Sequence, residues 1–411
     1  MRRPDRLEWL YMDFDGFFAS VEQAMDRRLR GRPVGVIPSD NPAGTSCIAV
    51  SKEAKAAGVR TGTSCRDAKA LCPDIVFRHQ RPELYVRAHH ALVGAVETCL
   101  PVAGAFSIDE LAAPVDQRGA RDPEGLSRDI KAALAAITPV VTASIGMASN
   151  AHLAKIVCKF EKPDGLTLLR PEDLPGPLLD LDRSAVPGLG KGIIARLDRA
   201  GIGDMRALWA TQPKQLRAIW GSVAGERFWY ALHGHAVEGE RSKRSMFGHG
   251  RVLAPGSRTL TGARECSLYL AAKAVRRMRA EGYAAGRASL WIRLREESWS
   301  ADAALRPAAD DDQACLRAVR AIWSRAEAEL PPRTSPGQVG VFFSDLWRGE
   351  RQPDLFARAD PRREALSAAV DSLNRRYSRA LVSVGPLTPP AGGHAGGKIA
   401  FTRIPDYEDF Q

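Results

Sequence analysis

The sequence lacks the paired cysteines that mark disulfide-stabilised scaffolds and structural zinc sites. Its seven cysteines are scattered over 411 residues and form no C-x-x-C pair. The sequence therefore predicts reduced, buried thiols in a cytoplasmic protein, with a disulfide or a zinc site as the minor alternatives.

Long apolar segments are absent as well. No apolar run approaches the roughly 20 residues that a membrane-spanning helix needs. The first residues, M-R-R-P-D, lead into a charged segment and not into the apolar core of a signal peptide. We therefore expect a cytoplasmic protein without a membrane partner. No repeat of fixed period is present either.

What the sequence does contain is enough apolar residues for a large core and an excess of positive charge. Hydrophobic residues make up 45% of the chain, and its length suggests several domains. Lys and Arg number 59 against 48 Asp and Glu, which gives a net charge of +11. This balance favours a polyanionic partner, with nucleic acid first and an anionic membrane second.

The order of predicted elements changes along the chain. Helices and strands alternate up to about residue 170, which indicates an α/β or α+β domain. Residues 171–235 read as helical, and 238–245 form a polar, charged linker. Residues 246–346 follow the pattern strand, helix, strand, strand, helix, strand. The tail beyond carries one helix (361–376) and a Gly-rich piece that we expect to be disordered.

Two apolar strand patterns are interrupted by carboxylates. Asp13 and Asp15 lie two residues apart in one run, so both are expected to point to the same face. Asp109 and Glu110 lie inside F-S-I-D-E-L-A-A-P-V. Burying unpaired charge is costly, so a partner must compensate these groups. Salt bridges to Arg or Lys are one explanation. The other is a metal site, since Mg²⁺ prefers carboxylate oxygens and substrate phosphates.

Basic and glycine-rich motifs downstream favour phosphate chemistry. Lys155 and Lys159 are spaced one helical turn apart, and Lys162 follows in the next loop. Lysines beside an acidic metal site are typical of phosphate contacts. V-P-G-L-G-K at 186–191 precedes a helix, where backbone N–H groups of a Gly-rich turn can face a phosphate, as in a helix-hairpin-helix. Such a turn taken alone is weak evidence.

Together these pieces resemble the Y-family DNA polymerases, the lesion-bypass class that includes bacterial polymerase IV and the catalytic subunit of polymerase V. The resemblance covers residues 7–250, in the family's order and spacing. Its motifs are D-F-D-G-F-F-A-S-V-E, S-K-E-A-K-A-A-G-V-R-T-G, S-I-D-E, S-I-G-M-A-S-N-A-H-L-A-K, E-K-P-D-G and V-P-G-L-G-K. The tail from V-G-V-F-F-S-D-L onward is closer to the polymerase V type.

The resemblance implies an α+β multidomain fold shaped as a right-hand polymerase. It implies a ferredoxin-like palm, small fingers, a helical thumb with a helix-hairpin-helix, and an α+β little-finger domain. The boundaries expected for this chain are palm 1–16 and 82–170, fingers 17–81, thumb 171–237 with the hairpin at 184–203, linker 238–245, little finger 246–346 and C-terminal tail 347–411.

The resemblance also assigns roles. It implies that Asp13, Asp109 and Glu110, with the Phe14 carbonyl, hold two Mg²⁺ ions, whereas Asp15 is not a direct ligand. Further implied roles are nucleotide contacts by Gly16, Phe17, Phe18, Lys55 and Lys162, and DNA contacts by Gly188, Gly190 and Lys191. Phe18 matches the steric gate that excludes a ribose 2′-OH, and for Phe17 we favour a core position.

The implied reaction is two-metal phosphoryl transfer, in which a primer 3′-OH attacks the α-phosphate of a dNTP paired to the template. No segment suggests a proofreading nuclease, and short fingers would enclose the new base pair loosely, at the expense of fidelity. The chain departs from the family at Lys52 and Ala49, where Tyr and Thr are usual, at Ala151, and in L-A-A-P after Glu110. These departures affect the expected rate and nucleotide affinity more than the reaction.

A short peptide in the tail resembles the one that bacterial replication proteins insert into the sliding clamp. R-Q-P-D-L-F supplies Gln352, Asp354, Leu355 and Phe356, of which Leu and Phe would fill an apolar pocket. The alternative is that Leu355 and Phe356 pack on the preceding module. The expected partners are primer-template DNA, dNTP and the sliding clamp, for a monomeric protein.

Two other functions stay open on the sequence. One is a non-catalytic clamp- and DNA-binding accessory subunit of a mutagenesis complex, which would explain the altered residues after Glu110. The other is a different nucleotidyl transfer on the same carboxylates, such as cyclic-nucleotide synthesis. The intact carboxylates argue against the first, and the basic 246–346 module argues for DNA as the substrate.

Overall fold

The computed structural model describes residues 1–38, 42–237, 244–348, 361–377, 382–385, 387 and 404. By their contacts, most of these residues fall into two compact units. The first contains residues 1–37 and 46–237, and the second contains 244–348 and 361–377. Helices and strands mix in both units, which confirms the predicted α+β multidomain class.

Helices and strands alternate along most of the described chain. The strands are β1 (Trp9–Phe14), β2 (Val34–Ile37), β3 (Ala49–Val50), β4 (Val76–His79), β5 (Gly104–Ala105), β6 (Glu110–Pro114), β7 (Ala143–Ala148), β8 (Leu166–Leu169), β9 (Met246–Val252), β10 (Tyr283–Arg293), β11 (Ser298–Ala309) and β12 (Gln338–Arg348). The helices are α1 (Phe17–Met25), α2 (Lys52–Ala56), α3 (Cys65–Leu71), α4 (Pro82–Glu97), α5 (Gln117–Arg121), α6 (Pro123–Ile137), α7 (Ala151–Val157), α8 (Lys191–Arg199), α9 (Met205–Trp209), α10 (Pro213–Trp220), α11 (Val223–Leu232), α12 (Leu260–Ala280), α13 (Asp312–Glu329) and α14 (Pro361–Arg376).

The N-terminal sheet, ordered β5-β6-β1-β7-β8, is built around the first strand of the chain. β1 pairs antiparallel with β6 on one side and β7 on the other, and β7 pairs parallel with β8. The apolar side chains of Leu10, Met12 and Phe14 are buried, as expected for a strand covered on its faces. All strands of this sheet lie in the ranges predicted for the palm.

A small sheet, ordered β3-β2-β4, lies in the range predicted for the fingers. β2 pairs antiparallel with β3 and parallel with β4. Its apolar residues pack on short helices α2 and α3, each of which begins after a serine N-cap, Ser51 and Ser64. Residues 171–237 are mostly helical, and their apolar side chains join one core with α7 and β8.

Asn150 joins the end of β7 to helix α11. Its Oδ1 accepts from the backbone N–H of Leu153 (2.9 Å), which caps the start of α7. Its Nδ2 donates to the carbonyls of Ala231 (2.8 Å) and His235 (2.9 Å). One buried side chain therefore satisfies backbone groups on three segments of the first unit.

Replacing Asn150 by alanine is expected to lower the free energy of unfolding of the first unit by about 3 kcal/mol, since it removes one helix cap and two hydrogen bonds to carbonyls. The matched control is Asp204→Ala, which removes only the cap bond to the Ala207 N–H (2.8 Å) at α9. For that variant we expect a loss of about 1 kcal/mol. Urea denaturation measures both, and equal losses would contradict the joining role of Asn150.

The second unit follows the predicted order strand, helix, strand, strand, helix, strand. Its C-terminal sheet is ordered β11-β10-β12-β9 with antiparallel neighbours, and α12 and α13 pack on it around the fully buried Trp323. Helix α14 is tied to this unit by Arg279. The guanidinium binds both oxygens of Asp371 (2.6 and 2.9 Å) and also contacts Asp312 (3.1 Å).

The cysteines are free, and the six other than Cys99 are buried. The prediction of buried thiols is therefore confirmed for these six. Within the described part of the chain, no helix is long and apolar enough to cross a membrane.

Candidate active site

The sheet register brings the acidic residues of two distant motifs together. Asp13, next to last in β1, is paired with Glu110, the first residue of β6. Directly opposite residues of antiparallel strands point to the same face, so both carboxylates leave the sheet on one side. Asp109 immediately precedes β6, and its carbonyl accepts from the Phe14 N–H (2.8 Å). Its own carboxylate accepts from Ser107 Oγ (2.5 Å).

Two lysines face these carboxylates. Lys155 Nζ on α7 lies 2.9 Å from Glu110 Oε2 and 2.8 Å from the Tyr11 hydroxyl. Lys162 Nζ forms an ion pair with Asp13 Oδ1. Salt bridges, one of the two explanations for the acidic motifs, are therefore present. Lys159 lies beyond the end of α7 with an exposed side chain.

The electrostatics of Asp13 fit a cation site. Burial raises the pKa of its carboxyl to about 6, Asp109 and Glu110 add to the rise, and Lys162 opposes it. Burial lowers the pKa of Lys162, but its pairing with Asp13 outweighs that effect and leaves the pKa above its usual value. Adjacent carboxylates that disfavour each other's ionised form suit the oxygen-rich donor set of Mg²⁺.

Among the described residues, no group of three His, Cys, Asp or Glu side chains converges in metal-binding geometry. The ammonium groups of Lys155 and Lys162 occupy positions against Glu110 and Asp13. Two of the three carboxylates, Asp13 and Glu110, are therefore engaged by lysines in this structure.

Asp15 lies directly after β1, which ends at Phe14, and its carboxylate is buried. It accepts from Ser144 Oγ (2.8 Å), Thr142 Oγ1 (3.0 Å) and the Asp164 N–H (2.8 Å). This carboxylate is compensated by hydrogen bonds and fixes the loop that carries Lys162.

Gly16 and the two phenylalanines form the start of α1. Gly16 has φ +55°, and a Cβ there would lie 2.8 Å from the Val50 carbonyl, so glycine permits close contact with β3. Phe17 is 3% exposed and stacks with Phe14 at 5.5 Å, as expected for a core residue. Phe18 is 6% exposed and stacks with Tyr85 at 4.2 Å.

The remaining predicted residues lie on other elements or outside the described chain. Lys55 is exposed on α2, as is Lys52, while Ala49 lies in β3 and Ala151 begins α7. Gly188 (φ +94°) and Gly190, the N-cap of α8, precede the exposed Lys191. The first element of the predicted hairpin is a single 3₁₀ turn, Arg183–Ala185. Gln352, Asp354, Leu355 and Phe356 lie outside the described residues, as does most of the predicted linker.

Several residues that contact the site residues are not indicated by the sequence motifs. Tyr11 and Ser107 hold Lys155 and Asp109 through their hydroxyls. Glu22, which is fully buried, accepts hydrogen bonds from Arg81 and Tyr85. The available signal was a glutamate within the apolar helix F-F-A-S-V-E, four residues after Phe18.

Comparison with family models matches both units of the chain. Residues 12–159 match the impB/mucB/samB family, and residues 244–355 match the C-terminal domain of that family. DNA polymerase IV of Moorella thermoacetica is 30% identical over 403 residues, which cover 94% of this chain and 98% of that protein. DNA polymerase IV 1 of Bacillus subtilis is 26% identical over 391 residues, 91% of this chain and 92% of that protein.

Solved structures share the fold. A chimera of the Y-family DNA polymerases Dbh and Dpo4 superposes with a TM-score of 0.65 at 20% identity, covering 83% of this chain and 100% of the chimera. An insertion ternary complex of Dbh DNA polymerase gives a TM-score of 0.54 at 21% identity over the same shares. The sequence matches a DNA polymerase IV over nearly its whole length, and Asp13 on β1 is paired with Glu110 on β6. The chain therefore belongs to the Y family of DNA polymerases.

Proposed function

We propose that this chain is a low-fidelity, template-directed DNA polymerase that extends a primer with dNTPs past damaged template bases. The observation that carries the proposal is the register pair of Asp13 and Glu110 with Asp109 beside it, faced by Lys155 and Lys162. Carboxylates and lysines at one sheet edge suit phosphoryl transfer, in which a divalent metal and phosphate charges must be held together.

Asp13, Asp109, Glu110 and the Phe14 carbonyl would hold two Mg²⁺ ions. When bound, the metal supplies an activated primer hydroxyl and neutralises charge on the triphosphate. Lys155 and Lys162 would then be free of their ion pairs with Glu110 and Asp13, and Lys162 and Lys55 would contact the triphosphate. Burial first, and the charges of Asp109 and Glu110 second, raise the pKa of Asp13, so this buried carboxylate is stabilised by a cation beside it.

The neighbouring elements would position the substrates. Gly16 keeps the backbone of α1 close to β3, and Phe18 is the ring we assign to excluding a ribose 2′-OH. Gly188, Gly190 and Lys191 at the start of α8, and the second unit with its net basic sequence, would contact DNA phosphates. The fingers range is built from the small sheet and short helices, which supports loose enclosure of the new base pair.

Primer extension on a defined template with Mg²⁺ and dNTPs tests the proposal. We expect template-directed addition on an undamaged template and continued synthesis past a template lesion. DNA binding without any extension would overturn it and favour the accessory-subunit function instead. Template-independent product, or a cyclic nucleotide formed from nucleotide alone, would favour a different nucleotidyl transfer.

We also propose that Gln352, Asp354, Leu355 and Phe356 bind the bacterial sliding clamp. Replacing Leu355 and Phe356 by alanine is expected to abolish the stimulation of synthesis by clamp, because an apolar anchor in a pocket dominates such peptide contacts. Synthesis without clamp should be unchanged. The matched control is Leu366→Ala/Leu373→Ala, which removes two exposed leucines of α14. An equal loss with and without clamp would contradict the assignment.

A further inference from the structure

Helix α1 presents Phe18 and Glu22 on one face. The two residues are four apart, so their side chains lie one above the other on the helix. Phe18 is 6% exposed and Glu22 is completely buried. An aromatic ring assigned to the nucleotide sugar is therefore followed, one helical turn away, by a buried carboxylate.

Tyr85, from α4, is held by both of these residues. Its ring stacks on the Phe18 ring at a centroid distance of 4.2 Å and an interplanar angle of 13°. Its hydroxyl donates to Glu22 Oε1 (2.9 Å). Tyr85 is itself 0% exposed, so the stacked face of Phe18 is closed by a ring that is fixed at its far end.

The charge of Glu22 is compensated from outside the helix. Arg81, the N-cap residue of α4, donates through Nε (3.0 Å) and Nη2 (2.6 Å) to the two carboxylate oxygens. Arg78 Nε lies 3.8 Å from Glu22 Oε2. The contacts thus form one continuous series from Arg81 through Glu22 and Tyr85 to Phe18.

We propose that Glu22 and Arg81 are positioning residues for sugar selection, acting through Tyr85 to fix the ring of Phe18. This inference rests on the proposed function, in which Phe18 excludes the ribose 2′-OH. The Phe18 ring can exclude a ribose 2′-OH only if it keeps its position when that hydroxyl contacts it. Stacking alone tolerates sliding of two flat rings, whereas the hydrogen bond to Glu22 sets the position of Tyr85 along its long axis.

The choice of residues supports positioning over simple packing. Burying the Glu22 carboxylate has a desolvation cost that pairing with the half-exposed Arg81 offsets, so a gain in stability alone does not account for this buried charge. Directional bonds to a fixed carboxylate do account for it, because they specify one position of the phenol.

The test compares dCTP with rCTP opposite a template dG, using primer-template DNA and Mg²⁺. We expect Tyr85→Phe and Glu22→Ala each to lower the ratio of kcat/KM for dCTP over rCTP by about tenfold, mainly through faster rCTP use. The loss of selectivity for dCTP over rCTP in Phe18→Ala is the largest that we expect among these variants. Phe18→Ala/Tyr85→Phe should be no less selective than Phe18→Ala alone, because both changes act through the same ring.

Glu8→Ala is the matched control. Glu8 belongs to the same unit and binds Arg2 through both carboxylate oxygens (2.6 and 2.5 Å), so its removal breaks a two-bond ion pair that involves neither Phe18 nor Tyr85. We expect an unchanged ratio in this variant. If Glu22→Ala does not fold, Tyr85→Phe, which keeps the ring and removes only the hydroxyl, decides the question.

The outcomes separate this inference from the proposed function. The positioning role is overturned if Tyr85→Phe and Glu22→Ala leave the ratio of kcat/KM for dCTP over rCTP unchanged, or if they lower the use of both nucleotides equally. This conclusion requires that Phe18→Ala still loses selectivity. An unchanged ratio in Phe18→Ala contradicts the role of Phe18 in sugar selection and, with it, this inference. Template-directed extension would still support the proposed function. Absence of extension by the unaltered chain overturns the proposed function itself.

Discussion

Replacing Asp109 and Glu110 together by alanine is expected to reduce primer extension by about 10³-fold or more. The two residues are two of the three carboxylates proposed to hold the metal ions, and Glu110 is paired with Lys155. Metal-assisted charge stabilisation contributes several kcal/mol to such reactions, and about 1.4 kcal/mol corresponds to a tenfold change in rate. The measurement is single-turnover extension of a labelled primer at saturating Mg²⁺ and dNTP.

The same variant is expected to fold and to bind DNA. Burial and the nearby Asp109 and Glu110 raise the pKa of Asp13, so removing two of these charges relieves repulsion. Glu124→Ala/Asp129→Ala, which removes two exposed charges from α6, is the matched control and should extend normally. Extension by the Asp109/Glu110 variant within about tenfold of the unaltered chain would contradict the carboxylate assignment.

Substituting Gly146 by alanine is expected to lower the free energy of unfolding by about 3 kcal/mol. A Cβ at this position in β7 would lie 2.3 Å from the Ala154 carbonyl oxygen and 2.4 Å from the Cys158 nitrogen. These are backbone atoms of α7 and of the residue after it, which cannot rotate away, so the helix must shift from the sheet. That shift also carries Lys155 away from Glu110, so extension should fall together with stability.

Gly94→Ala provides the control for the same chemical change. Gly94 is exposed in the interior of α4, and a Cβ there meets no atom within 4 Å. Alanine is the better helix former, so we expect stabilisation of about 0.5–1 kcal/mol. Urea denaturation measures both variants, and a loss below about 1 kcal/mol for Gly146→Ala would refute the close packing of α7 on β7.

The elements of the fold were largely predictable because their apolar patterns are local. The second unit follows the predicted order of elements, and α8 begins at Lys191, directly after the Gly-rich turn. The end of β1 was not predictable in this way. The alternation of apolar and charged residues continues through Asp15, but the strand ends at Phe14. The position of the Asp15 carboxylate is set by hydrogen bonds from Thr142, Ser144 and Asp164.

The charged residues of the site could be predicted from the sequence, but the contacts between them could not. Two acidic motifs almost 100 residues apart indicate compensation, but the one-to-one pairing of Asp13 with Glu110 depends on a strand register that no local pattern encodes. The expected strand over 106–115 begins only at Glu110, which leaves Asp109 in the preceding turn. Long-range partners such as Arg81 for Glu22, 59 residues apart, are likewise set by tertiary packing.

The order of the N-terminal sheet has a consequence for synthesis on the ribosome. β1 is made first, yet both of its neighbours come much later: β6 ends at Pro114 and β7 at Ala148. At the usual 5–20 residues per second, the gap from Phe14 to Ala148 corresponds to roughly 7–27 s. Until β6 has been made, Leu10, Met12 and Phe14 have no neighbouring strand of this sheet to join, and β7 arrives only at the end of the interval. The nascent chain must keep this apolar strand from pairing elsewhere until Asp13 can acquire its neighbours.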